Sequence, residues 1–242
     1  MIVRDVRRPF VWRPGEGYDA QALARIRRAF PRPAEPMGEA WFMGEKRRFF
    51  TELAGNLDDL VVGAFDGPLS EIAGGFSRFG AREEWRLWLH HLLGPLIPRS
   101  HEFYTDYLLE RLISTFMSLY PLAVEPESYP GFRDDTLGRC MMDRACWSKG
   151  EIVLGTALHS FNPRTGLWRW FDASGDFSAS MFFRLKFLRA EEIEPWLRSA
   201  LAIACPHWRA QLLVWFVGAH EMLVGRTANP ACFDLMDRPS VL

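Results

Sequence analysis

Trp85-Arg86-Leu87-Trp88-Leu89-His90-His91-Leu92-Leu93-Gly94-Pro95-Leu96 is the stretch that decides the fold class. Trp85, Trp88, Leu89, Leu92, Leu93 and Leu96 fall at i, i+3, i+4, i+7, i+8 and i+11, which lays one apolar stripe down an α-helix that we expect to end at Pro98. Downstream, a helix starting after Ser100 places Leu108, Leu109, Leu112, Ile113, Phe116, Leu119 and Tyr120 over about half its circumference, at about 100° per residue. A face that wide calls for neighbours on two sides.

Upstream, the same logic gives a helix capped by Asp19 and ending near Phe30. Residues 1–18 before it, with Arg4, Arg7, Arg8, Arg13, Pro9 and Pro14, read as an extended basic arm. Pro31, Pro33 and Pro36 make a stiff connector, after which Glu39 to Leu53 has the spacing of a second helix. Leu60 to Phe65 fits a short strand or a short helix, and the stretch after Asp66-Gly67-Pro68 is helical.

The Pro-, Glu- and Ser-containing stretch Pro121 to Gly131 is the best internal break. It divides a single domain of 242 residues into an N-terminal helical half, 19–120, and a C-terminal half, 132–224, with an irregular tail over 225–242. The second half opens with a helix around Asp134 to Trp147. Ser148-Lys149-Gly150-Glu151 then matches a capping box, with Leu154, Ala157, Leu158 and Phe161 following at helical spacing. A β-hairpin competes there, because Asn162-Pro163-Arg164-Thr165-Gly166 reads as a turn and Leu167 to Phe171 as its return strand. Further on, Ser178 is placed to cap a helix bearing Met181, Phe182, Leu185 and Leu188. Glu191, Glu192 and Glu194 suit the start of another helix, with Pro195 in its first turn. Pro206 suits the first position of a last one, apolar on most of its surface and therefore either central or an interface.

The expected class is mainly α: antiparallel helix pairs joined by short turns, in an irregular helical domain or a short α-solenoid, with room for one small β-hairpin near 152–171. The arrangement resembles the paired-helix logic of HEAT-like solenoids, without a repeated consensus at a fixed period.

Composition narrows the function classes. With 48% hydrophobic residues the chain can bury a sizeable core, and 29 Lys plus Arg against 30 Asp plus Glu leave almost no net field to attract nucleic acid. The cations are nearly all Arg, with Lys46, Lys149 and Lys186 as the lysines, and Arg suits half-buried ion pairs and stacking on aromatic rings. Cys140, Cys146, Cys205 and Cys232 form no C-x-x-C pair and read as packing thiols. The first ten residues lack a continuous apolar leader and no run has membrane-spanning length, so a cytoplasmic protein is expected.

Chemistry-bearing patterns are sparse. His90, His101, Glu102 and Asp106 lie where one helix ends and the next begins, a set able to ligate zinc or non-haem iron for hydrolysis. Against it, His90 and His91 project about 100° apart. His220-Glu221 lacks the second histidine of H-E-x-x-H, since position 224 is Val224, and neither G-x-S-x-G nor a P-loop occurs. No cofactor is expected. Trp168, Arg169, Trp170 and Phe171, followed by Asp172 and Asp176, combine the residue types that dominate binding hot spots. The N-terminal arm, eight Arg against three acids over residues 1–32, offers a weaker nucleic-acid alternative. The leading expectation is a protein–protein interaction module, an adaptor, inhibitor or immunity-type partner without catalysis of its own, with homo-oligomerisation through the 206–224 helix as a further partner expectation.

Overall fold

A computed structural model describes residues 18–39, 47–75, 82–100, 108–120, 124, 128–140, 147–148, 151–152, 161–162, 167–168, 176–202 and 206–223. Helix dominates these residues. In chain order the helices are α1 (Ala20–Ala29), α2 (Asp66–Gly75), α3 (Arg82–Ser100), α4 (Leu108–Leu119), α5 (Phe132–Asp135), α6 (Asp176–Phe187), α7 (Ala190–Leu201) and α8 (Pro206–Leu223). Among the described residues, no helix is long and apolar enough to cross a membrane.

α1 forms where the cap predicts. Asp19 Oδ1 accepts from the Gln21 and Ala22 amides at 2.8 and 2.9 Å, satisfying two of the first turn's orphan donors. Arg27 and Arg28 sit at the negative end of the helix dipole, and Ala22, Leu23 and Ile26 make the buried face that packs on α3.

All six stripe residues of α3 are buried, and the helix runs two residues past Pro98. The prolyl nitrogen of Pro98 cannot donate to the Gly94 carbonyl four residues back. Arg27 Nε donates to that carbonyl instead, at 3.2 Å from across the α1–α3 seam. Gly94 also has to be small, since a Cβ there would lie 2.9 Å from Arg27 Cγ.

The wide apolar face of α4 is explained by its neighbours, since it packs against α2, α3 and α6. Phe116 at its centre meets Tyr120, Phe132, Phe183 and Phe187 with ring centroids 4.8, 6.1, 5.5 and 5.8 Å away. Those rings come from α4, α5 and α6, so the two halves of the chain share one buried aromatic centre.

Several local expectations give way. Glu39 to Leu53 is not one helix: Gly38 bridges Phe49 in antiparallel fashion, the Glu39 amide donates to Arg48 O at 2.9 Å, and Thr51–Ala54 is a 3-10 turn. The fork of Arg47 organises the segment. Its Nε donates to Glu39 O at 2.9 Å, its Nη2 to Gly38 O at 3.1 Å, and both Nη atoms to Glu84 of α3 at 2.7 and 2.8 Å. In a helix, positions 38 and 47 would stand about 13 Å apart along the axis. Val62–Phe65 is a further 3-10 turn running into α2.

In the second half, α5 is short and continues as a π-helical turn, Thr136–Cys140, while Trp147 lies in a strand pair instead of a helix. β1 (Trp147–Ser148) pairs antiparallel with β2 (Glu151–Ile152), and β3 (Phe161–Asn162) with β4 (Leu167–Trp168). Ser148 and Glu151 are thus cross-strand partners and not a capping box, because Lys149-Gly150 between them is also a two-residue hairpin connection ending in glycine. Residues 153–160, where a helix was expected, lie outside the described residues. α6 starts at Asp176, which puts Ser178 inside the first turn, and Pro195 lies in the second turn of α7. α8 does begin at Pro206.

Candidate functional site

Of the expected partner-binding residues, the structure places two. Trp168 is the second residue of β4, with its backbone opposite Phe161, and Asp176 opens α6. Arg169, Trp170, Phe171 and Asp172 lie outside the described residues, as does the arm up to residue 17. His101, Glu102 and Asp106 of the metal alternative are likewise outside them, but His90 is described in full.

His90 is a core residue, 2% exposed. Its ring stacks on Phe30 at 4.3 Å, meets Phe132 edge-on at 5.5 Å, and places Nε2 2.6 Å from Tyr120 Oη, which in turn lies 3.4 Å from Ser128 Oγ. Burial pushes the imidazole down to about 3, the Arg86 charge pushes the same way, and Glu83 opposes it. A neutral ring follows, with the nitrogen a metal would take engaged by a phenol. Among the described residues no three His, Cys, Asp or Glu side chains are grouped to hold a metal ion.

The remaining polar clusters tie elements together. Asp135 accepts from Arg25 Nε and Nη2, both at 2.7 Å, and from Tyr129 Oη at 2.9 Å, joining α1 to α5. Burial together with the Asp135 hydrogen bond drives the Tyr129 phenol well above its usual range. Arg133 forks onto Glu192 of α7 and donates to Phe187 O at 2.6 Å. Cys140 is buried and its thiol pushed up to about 12 by burial, so it is an inert packing group.

Among the described residues, the outer face of α8 carries two exposed apolar side chains one turn apart. Leu212, Trp215, Ala219 and Leu223 turn inward, Trp215 packing on Phe182 of α6 at 4.9 Å. One turn apart on the other side, Leu213 is 58% and Val217 79% exposed, with Phe216 half-buried beside them and Arg209 and His220 in solvent. The other large exposed apolar residues described, Phe49, Val61, Leu87 and Leu201, belong to four other elements or connections. The sequence already held this signal as apolarity over most of the helix surface. It could not say which side faces out, since that depends on Phe182, over thirty residues earlier.

Comparison of the chain with protein-family models, with curated proteins and with solved structures finds no match.

Proposed function

We propose that the chain is a protein-binding module, an adaptor, inhibitor or immunity-type partner, which docks another protein and carries out no chemistry of its own. The observation that carries this reading is the outer face of α8, where Leu213 and Val217 stand in water on a helix whose opposite side is already buried. Covering the exposed part of each is worth about 1–2 kcal/mol. That total is less than the several kcal/mol, roughly 4–15, that association costs, so the pair serves as the centre of a larger contact. Trp168, Arg169, Trp170, Phe171, Asp172 and Asp176 supply further ring and charge chemistry to the same module.

The test is affinity capture with wild-type chain beside two variants of equal folded content by circular dichroism, Leu213→Ser/Val217→Ser and Trp168→Ala/Trp170→Ala. Loss of a reproducible partner with the α8 variant supports the reading; capture that is the same for all three proteins overturns it. A second reading, self-association through the same helix, draws on the same exposed pair. Sedimentation of the purified chain separates the two, since a homodimer dissociates on dilution and in the α8 variant without any added protein. A metal-dependent hydrolase built on His90, His101, Glu102 and Asp106 gains no support from His90, whose Nε2 is bonded to Tyr120.

A further inference from the structure

His90 and His91 are adjacent on α3, and both close on one residue of another element. His90 stacks its ring on the ring of Phe30, the C-cap of α1, and His91 Nδ1 stands 3.2 Å from the Phe30 carbonyl. A carbonyl can only accept, so His91 donates from Nδ1. Its Nε2 is then the bare nitrogen of a neutral ring, buried and without a hydrogen-bond partner. A proton added there would be a buried donor with no acceptor, and a proton added to His90 would put a charge among Phe30, Phe132 and Tyr120.

From these contacts we propose that His90 and His91 form an acid-released latch, which holds α1 on α3 while both rings are neutral and lets it go when they take up protons. Displacing the C-terminal end of α1 moves Phe30 away, and that one movement uncovers the face of His90 and frees Nδ1 of His91.

The charged and titratable surroundings favour the closed, neutral state. On α3 itself, Arg86 opposes a charge on His90 and Glu83 favours one. For His91 burial opposes a charge most, the Phe30 carbonyl bonded to Nδ1 favours one, and Arg32, just past α1, opposes it, so burial of Nε2 outweighs the Phe30 bond. From α4 the facing group is Tyr120, a phenol raised by burial and hence neutral. From the 128–140 segment it is Tyr129, also neutral, against Phe30. The nearby carboxylate there, Asp135, is committed to Arg25 and Tyr129. Cation–π attraction to the rings offsets burial only in part.

The sign follows from linkage. In the released state each imidazole titrates near its ordinary 6.5, whereas both are lower in the closed state, so closure is fully favoured above that value and weakens as pH falls below it. Each proton taken up raises the released population about tenfold per pH unit. For His90, whose closed-state value is about 3, that is roughly 25-fold at about pH 5 over neutral pH, and His91, lowered in the closed state, adds to it in the same direction. Release uncovers Ala22, Leu23 and Ile26.

Hydrogen exchange read by mass spectrometry, corrected for the intrinsic pH dependence of amide exchange, tests the latch on the whole chain. Opening in peptides spanning α1 should rise about 25-fold or more between neutral pH and about pH 5, while peptides spanning α4 stay protected. His91→Asn, whose side-chain amide nitrogen takes the place of Nδ1 toward the Phe30 carbonyl but does not titrate, should lower the pH response to that of His90 alone, and His90→Gln/His91→Asn should abolish it. Opening of α1 that does not change with pH overturns the proposal, and so does a parallel rise in α1 and α4. If the double variant fails to fold, His91→Asn decides alone: a pH response equal to the wild type's also overturns the latch.

Discussion

Arg133 and Glu192 offer the sharpest quantitative test of how the second half is held together. The guanidinium is 4% exposed and the carboxylate 16%. Arg133 forks onto both carboxylate oxygens and also donates to Phe187 O, while Glu192 Oε2 accepts the Arg189 amide at 2.8 Å at the start of α7. Arg133→Met keeps most of the aliphatic stem volume but leaves a half-buried carboxylate without its cation. Glu192→Leu leaves a buried guanidinium with the Phe187 carbonyl and the distant Asp134 carboxylate at 3.5 Å. Each single change is expected to cost about 3–5 kcal/mol, the usual consequence of orphaning one partner of a buried pair.

The double variant, Arg133→Met/Glu192→Leu, removes both charges. What it forfeits includes the donor to Phe187 O, the Arg133–Asp134 pair and the acceptor of the Arg189 amide, so the expected cost is about 1–3 kcal/mol, far below the sum of the singles. Urea unfolding followed by tryptophan fluorescence near neutral pH measures all four corners of the cycle. The pH dependence supplies a second reading. Burial pushes the Glu192 carboxyl up, but the Arg133 fork and the Arg189 amide outweigh it and leave the group below 4.5. Its contribution is therefore present above 4.5 and lost as pH falls through the lower folded value. The gap between wild type and Arg133→Met should accordingly narrow in acid, where Glu192 is protonated in the variant. Additive singles, or a gap that is the same at all pH values, would show that the pair is a surface contact with little energetic meaning.

Two further outcomes check the rest of the framework. Phe116→Ala, which empties the centre shared by α4, α5 and α6, should cost about 3–5 kcal/mol by thermal or urea unfolding, and a loss under about 1 kcal/mol would mean that the aromatic centre is not packed as described. Asp19→Ala at the start of α1 and Gly131→Ala at φ 91° should each cost about 1 kcal/mol, the first by orphaning two amides and the second by backbone strain; an unchanged melting temperature in either would contradict that local geometry.

Which parts of this were legible in the sequence follows from the range of the interactions involved. The α3 stripe, the Asp19 cap and the wide face of α4 are periodic or local features, and hydrophobic spacing records them within a dozen residues. The end of α3 is not local: whether Pro98 stops the helix depends on Arg27 reaching the Gly94 carbonyl from 67 residues away. The same holds for Glu39 to Leu53, where helical composition yields to one arginine that finds Glu84. Ser148 and Glu151 failed for a different reason, because a spacing of three serves a capping box and a two-residue hairpin equally.

The site divides along the same line. That α8 is apolar on most of its surface was plain, but an inward and an outward face are properties of its neighbours, and Trp215 finds Phe182 only in three dimensions. His90 was visible as a candidate ligand by residue type. Its meaning changes once Phe30 and Tyr120 stand against it, sixty residues before and thirty after, and a histidine that looked available for metal becomes a neutral wedge whose protonation the fold resists. Residue type thus located the titratable centre of the molecule, while only the packing around it gave the sign of its response to acid.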